Sequence, residues 1–146
     1  MKPLLAAVAL TLFALPAHAD IAVPRHRIRP VPTVHLSSVR VARTDAPDDD
    51  TTAVAREARR ALHAQRGRID RCLRGVDLRR SPFRSGTRSM RGRLVFTRSG
   101  RPTVQIEHAR GIPRAARACV LEAVESVATR TAPRGTVEIR FRYDIR

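Results

Sequence analysis

Val137-Glu138-Ile139-Arg140-Phe141-Arg142-Tyr143-Asp144-Ile145 alternates apolar and charged residues without interruption. Successive side chains of an extended strand point to opposite faces. One face of this segment therefore carries Val137, Ile139, Phe141, Tyr143 and Ile145, and the other carries Glu138, Arg140, Arg142 and Asp144. A strand so one-sided belongs in an antiparallel sheet with one face on a core and the other in water.

Working back from this strand, Pro133-Arg134-Gly135 reads as the turn that feeds it. Before the turn, Ala116, Cys119, Val120, Ala123, Val124 and Val127 recur at helical spacing. Ile112-Pro113 opens that helix, with proline at its first position. Further back the period returns to two. Leu94 and Phe96 share a face, Ser99-Gly100 supplies a turn, and Val104 and Ile106 continue, so Arg93 to His108 predicts a β-hairpin. Pro102 then belongs at a strand start or on an unpaired edge. A first helix is expected from Asp50 or Thr51, with Val54, Ala58, Leu62, Ile69, Cys72 and Leu73 on its apolar face. Gly67 marks a bend or weak point and Gly75 a stop.

The order helix, strand, strand, helix, strand predicts an α+β fold in which two helices pack on one face of a small three-stranded antiparallel sheet. A right-handed crossover places the last strand beside the first hairpin strand and leaves it as an available edge. Cys72 and Cys119 fall on the apolar sides of the two helices, within reach of a disulfide in an oxidising compartment.

The N-terminus carries an apolar run from Leu4 to Leu15, then Pro16 and Ala17-His18-Ala19, the pattern of a cleavable export signal over residues 1–19. The run is shorter than the roughly 20 residues needed to span a bilayer. The expected location is periplasmic or secreted, with a retained anchor as the competing reading. Residues 20–50 hold Pro24, Pro30, Pro32 and Pro47 and read as an extended linker, although alternation around Val34, Leu36, Val39 and Val41 leaves room for a docking strand. Residues 51–146 then form the folded domain.

The net charge is +16, and past residue 19 every cationic chain other than histidine is arginine. This suits bidentate recognition of carboxylate or phosphate, or merely reflects a GC-rich genome. Arg79, Arg80, Arg84, Arg88, Arg91 and Arg93 lie in a stretch read as a loop and are the candidate anion-binding residues. The remaining chemistry points away from an enzyme. His26, His35, His63 and His108 have no metal-ligand spacing, the cysteines are not a CxxC pair, and no nucleophile elbow or phosphate-cradling glycine loop occurs. No metal or cofactor is expected. Aromatic residues make up 3% of the chain, which argues against dedicated nucleic acid binding through base stacking.

Ile69-Asp70-Arg71-Cys72, Gly92-Arg93-Leu94-Val95-Phe96 with Ser99-Gly100-Arg101 and Val104, Ala118-Cys119-Val120, and Arg140-Phe141-Arg142-Tyr143 form a set of segments along the chain. Together they resemble the TonB C-terminal-like domains, and within them the AgmX/PglI C-terminal type of myxobacterial envelope proteins. The aromatic-Pro-x-Pro usual in that family is reduced here to Thr131-Ala132-Pro133-Arg134. The resemblance implies a non-enzymatic envelope module that adds a partner segment to its sheet edge. By position, that edge would be the last strand, Val137, Glu138, Ile139, Arg140, Phe141, Arg142 and Tyr143. An envelope protein or peptide is then the expected partner, and self-pairing into a homodimer the corollary. Energy transduction is not expected, since the N-terminus reads as cleavable. The alternative is an arginine-rich protein that binds anionic envelope polymers such as lipopolysaccharide or acidic polysaccharide.

Overall fold

The computed structural model describes residues 32–74 and 88–146. The signal-like segment 1–19, Arg79, Arg80 and Arg84 lie outside the described residues. The fold is α+β. Its elements are strand β1 (Val34–Thr44), helices α1 (Asp48–Ala64) and α2 (Arg66–Leu73), strands β2 (Arg88–Phe96) and β3 (Pro102–Ala109), helix α3 (Arg114–Glu125) and strand β4 (Val137–Ile145).

All strand pairs are antiparallel and the sheet order is β1-β4-β2-β3. Two expectations are corrected by this order. The sheet has four strands rather than three, because part of the segment read as linker is β1. The final strand is also no edge: β1 runs along one side of β4 from Val34↔Ile145 to Thr44↔Val137, and β2 runs along the other from Arg88↔Ile145 to Phe96↔Val137. The edges belong to β1 and β3.

The alternation of β4 is the axis of the core. Val137, Ile139, Phe141, Tyr143 and Ile145 are all at most 3% exposed, and they meet Leu94 and Phe96 of β2 with Val34 and Leu36 of β1. Fully burying side chains of this size contributes roughly 1.5–3 kcal/mol each. The rings of Phe141 and Tyr143 meet edge to face with centroids 5.7 Å apart. Tyr143 donates from its hydroxyl to the Leu62 carbonyl at 2.8 Å, so its polar end is satisfied within the core. Burial pushes its phenol well above the ordinary value and keeps it a donor.

The helix spanning the first apolar stripe is split. Gln65 holds the joint between α1 and α2, and its carbonyl accepts from Arg68 and Ile69, so the chain turns two residues before Gly67. Val54, Ala58 and Leu62 of α1, Ile69 and Leu73 of α2, and Ala116, Val120, Ala123 and Val124 of α3 are buried. Helix starts differ slightly from expectation. α1 begins at Asp48 after Pro47, which places Asp48, Asp49 and Asp50 together in its first turn, where carboxylates complement the helix dipole. Pro113 precedes α3 as its cap. Cys72 and Cys119 form a disulfide that ties α2 to α3, with Cα atoms 5.7 Å apart.

Two carboxylates hold α1 to the segment that leads into β4. Glu57 accepts from the backbone N–H of Arg130 at 2.7 Å, and from the N–H and hydroxyl of Thr131 at 3.1 and 3.0 Å. Asp50 pairs with Arg134 at 3.0 Å. Among the described residues no helix is long and apolar enough to cross a membrane.

Candidate functional site on the sheet

The helices cover one face of the sheet, which leaves its outer face and its two edges as surfaces. Cross-strand register writes the outer face as rows. One row reads Ser38, Arg142, Arg91, His108 and the next reads Arg40, Arg140, Arg93, Gln105. Arginines thus stand beside arginines on neighbouring strands. Glu138 lies 3.7 Å from Arg93 and 3.6 Å from Arg140, and Glu107 lies 3.7 Å from Arg93. Asp144 accepts from the Arg142 guanidinium at 2.7 Å. Partial burial works against the charge on Asp144, but the hydrogen bonds from Arg142 and Ser37 outweigh it and hold the carboxyl below its ordinary range.

The candidate anion-binding residues divide accordingly. Arg88, Arg91 and Arg93 are not loop residues: β2 begins at Arg88, earlier than the hairpin pattern indicates, and fixes all three in an interior strand. Arg91 and Arg93 face outward, while Arg88 shares the register of Ile145 at the strand's end. Sequence reasoning missed Arg40, which β1 brings opposite Arg140. The signal for it was present in the alternation around Val34, Leu36, Val39 and Val41, which leaves room for a docking strand in a segment otherwise read as linker.

The two edges differ. Thr33 and Arg146 exchange both backbone bonds, so the N–H of Val34 points away from β4, and Asp70 of α2 accepts it at 2.9 Å. Arg59 of α1 donates to the Val39 carbonyl at 3.1 Å. Helix side chains thus occupy backbone polar groups of β1. Among the described residues, no side-chain hydrogen bond ends on a backbone group of β3. Thr103, Gln105 and Glu107 on that strand are exposed, whereas Val104 and Ile106 are partly buried against the core.

No family model, curated protein or solved structure matches this chain. Among the described residues no cluster of three or more His, Cys, Asp or Glu has the geometry of a metal site. The chemistry on offer is backbone hydrogen bonding along β3 and guanidinium recognition on the outer face.

Proposed function

We infer that this chain is an exported envelope interaction module that captures an extended partner segment by strand addition, as its resemblance to TonB C-terminal-like domains of the AgmX/PglI type implies. The surface is the edge of β3, in place of the enclosed β4. The observation that carries this reading is the contrast between the edges: Asp70 and Arg59 engage one, and among the described residues no side chain hydrogen-bonds to the backbone of the other. An unpaired edge offers alternating N–H and C=O groups to an incoming strand, and the flanking side chains set selectivity. Here those side chains are Thr103, Gln105 and Glu107, with a register shift between Arg91 and Gly92 that re-aims the end of the strand beyond Ile106.

Proline scanning of adjacent edge positions tests the assignment. Of Val104→Pro and Gln105→Pro, the one whose native N–H points away from β2 keeps the fold. That folded variant should lose a protein partner cross-linked to the wild-type chain in envelope extract, and should also lose any homodimer seen by sedimentation at micromolar concentration. Undiminished capture by the folded variant would remove β3 as the binding edge.

A further inference from the structure

Among the described residues, the outer face holds a concentration of arginine that its carboxylates neutralise only in part. Arg40 lies opposite Arg140, Arg140 opposite Arg93, and Arg142 opposite Arg91. Like charges directly across a strand pair destabilise the sheet. Glu138, Glu107 and Asp144 relieve Arg93, Arg140 and Arg142. Among the described residues, no carboxylate comes within ion-pair distance of Arg40 or Arg91. Both are exposed, and they stand on opposite sides of β4.

These two arginines line one open depression of about 500 Å³ together with Arg140, Arg142 and Ser38, and its carboxylates are Glu107 and Asp144, which leaves arginine in excess. Neighbouring strands lie about 4.8 Å apart and same-face residues along a strand about 6.7 Å apart, so the four guanidinium stems rise from a patch roughly 10 Å by 7 Å. A second hollow of about 300 Å³ adjoins it and shares Arg91 and Arg142.

We propose that this depression binds a small molecule carrying two or more phosphate groups linked close together. Guanidinium forks meet phosphate oxygens bidentately, and a multiply charged ligand neutralises adjacent arginines that a single carboxylate would leave in mutual repulsion. Phe141 at the floor is only 2% exposed and presents no ring face for a base to stack on, so recognition rests on the phosphates. The compactness of the patch favours covalently linked phosphates over headgroups dispersed across a membrane surface. The site depends on the outer face and not on the edge of β3.

Calorimetric titration of the full chain with inorganic tripolyphosphate at low ionic strength tests this, with orthophosphate and phosphatidylglycerol-containing phosphatidylcholine vesicles as comparison probes. Wild-type protein should bind tripolyphosphate saturably and much more tightly than orthophosphate. Arg40→Gln with Arg91→Gln should weaken binding roughly tenfold or more. Arg66→Gln with Arg114→Gln, which removes the same charge from exposed helix positions, should change it less than about twofold. Arg40→Lys with Arg91→Lys, which keeps the charge but not the fork, should fall between and provides a variant of unaltered charge should the glutamine pair perturb the fold. Equal loss in both glutamine pairs would reduce the effect to diffuse charge and overturn the site. Absence of tripolyphosphate binding, equal affinity for orthophosphate, or Arg40- and Arg91-dependent binding to vesicles alone would overturn it too.

Discussion

A Cβ placed on Gly92 would lie 2.5 Å from the Phe141 ring and 2.8 Å from the Gln105 carbonyl oxygen. The first clash involves a core ring and the second the backbone of the next strand, so neither neighbour can yield cheaply. Gly92→Ala is therefore expected to cost about 1–3 kcal/mol, and Gly92→Val more, read as a fall in the chemical-denaturation midpoint. Acid sensitivity is also set by single residues. Hydrogen bonds from Thr131, with the further bond from Arg130, hold Glu57 below its ordinary value of 4.5 against the opposing effect of partial burial. The unfolded chain thus takes up this proton more readily than the folded one. The contribution is full above the ordinary value and fades as pH falls through the lowered one. Glu57→Gln should flatten the slope of melting temperature against pH between roughly pH 5 and 3, and leave the slope near neutrality unchanged.

Among the elements, β4, the hairpin and the helical stripes were legible because their apolar residues keep one period over most of their length. β1 was harder to read for a physical reason. Its pairing with β4 shifts register between Leu36 and Ser38 and again between Val41 and Arg43, so the period of two breaks twice within eleven residues. Only Val34 and Leu36 are buried, and Val41 is 38% exposed. The four prolines of residues 20–50 pulled the reading toward a linker. With β1 went Arg40, one of the four arginines that line the depression on the outer face. β1 stabilises the fold as an integral strand, so Leu36→Asp should destabilise by several kcal/mol through a buried unpaired carboxylate. An unchanged denaturation curve would return the segment to linker status. The disulfide acts between elements as well. Its sequence separation of 47 residues corresponds to about 4 kcal/mol in the chain-entropy description. Reduction, or Cys72→Ser with Cys119→Ser, should lower the unfolding free energy by up to that amount.

For the molecule as a whole, the expected neighbour order of the hairpin strands and the last strand was correct, and the identity of the edge was not. The crossover through α3 places β4 beside β2, but nothing local to β4 reveals that a segment before α1 lies along its other side. Ser37 and Arg142, joined by a hydrogen bond from the serine hydroxyl, lie 105 residues apart in sequence. Such a contact leaves no trace in either segment's own pattern. The enclosure of β4 also sets a timetable for folding. β1 leaves the ribosome first among the described strands and β4 last, yet β4 is the one against which β1 pairs. The core strand that joins the two sides of the sheet is thus the final one to be made. Until it arrives, β1 has no strand to pair with and the hairpin lacks its inner neighbour. Assembly of the sheet thus waits on its last strand, and stalling synthesis before Val137 should leave every upstream described strand susceptible to protease.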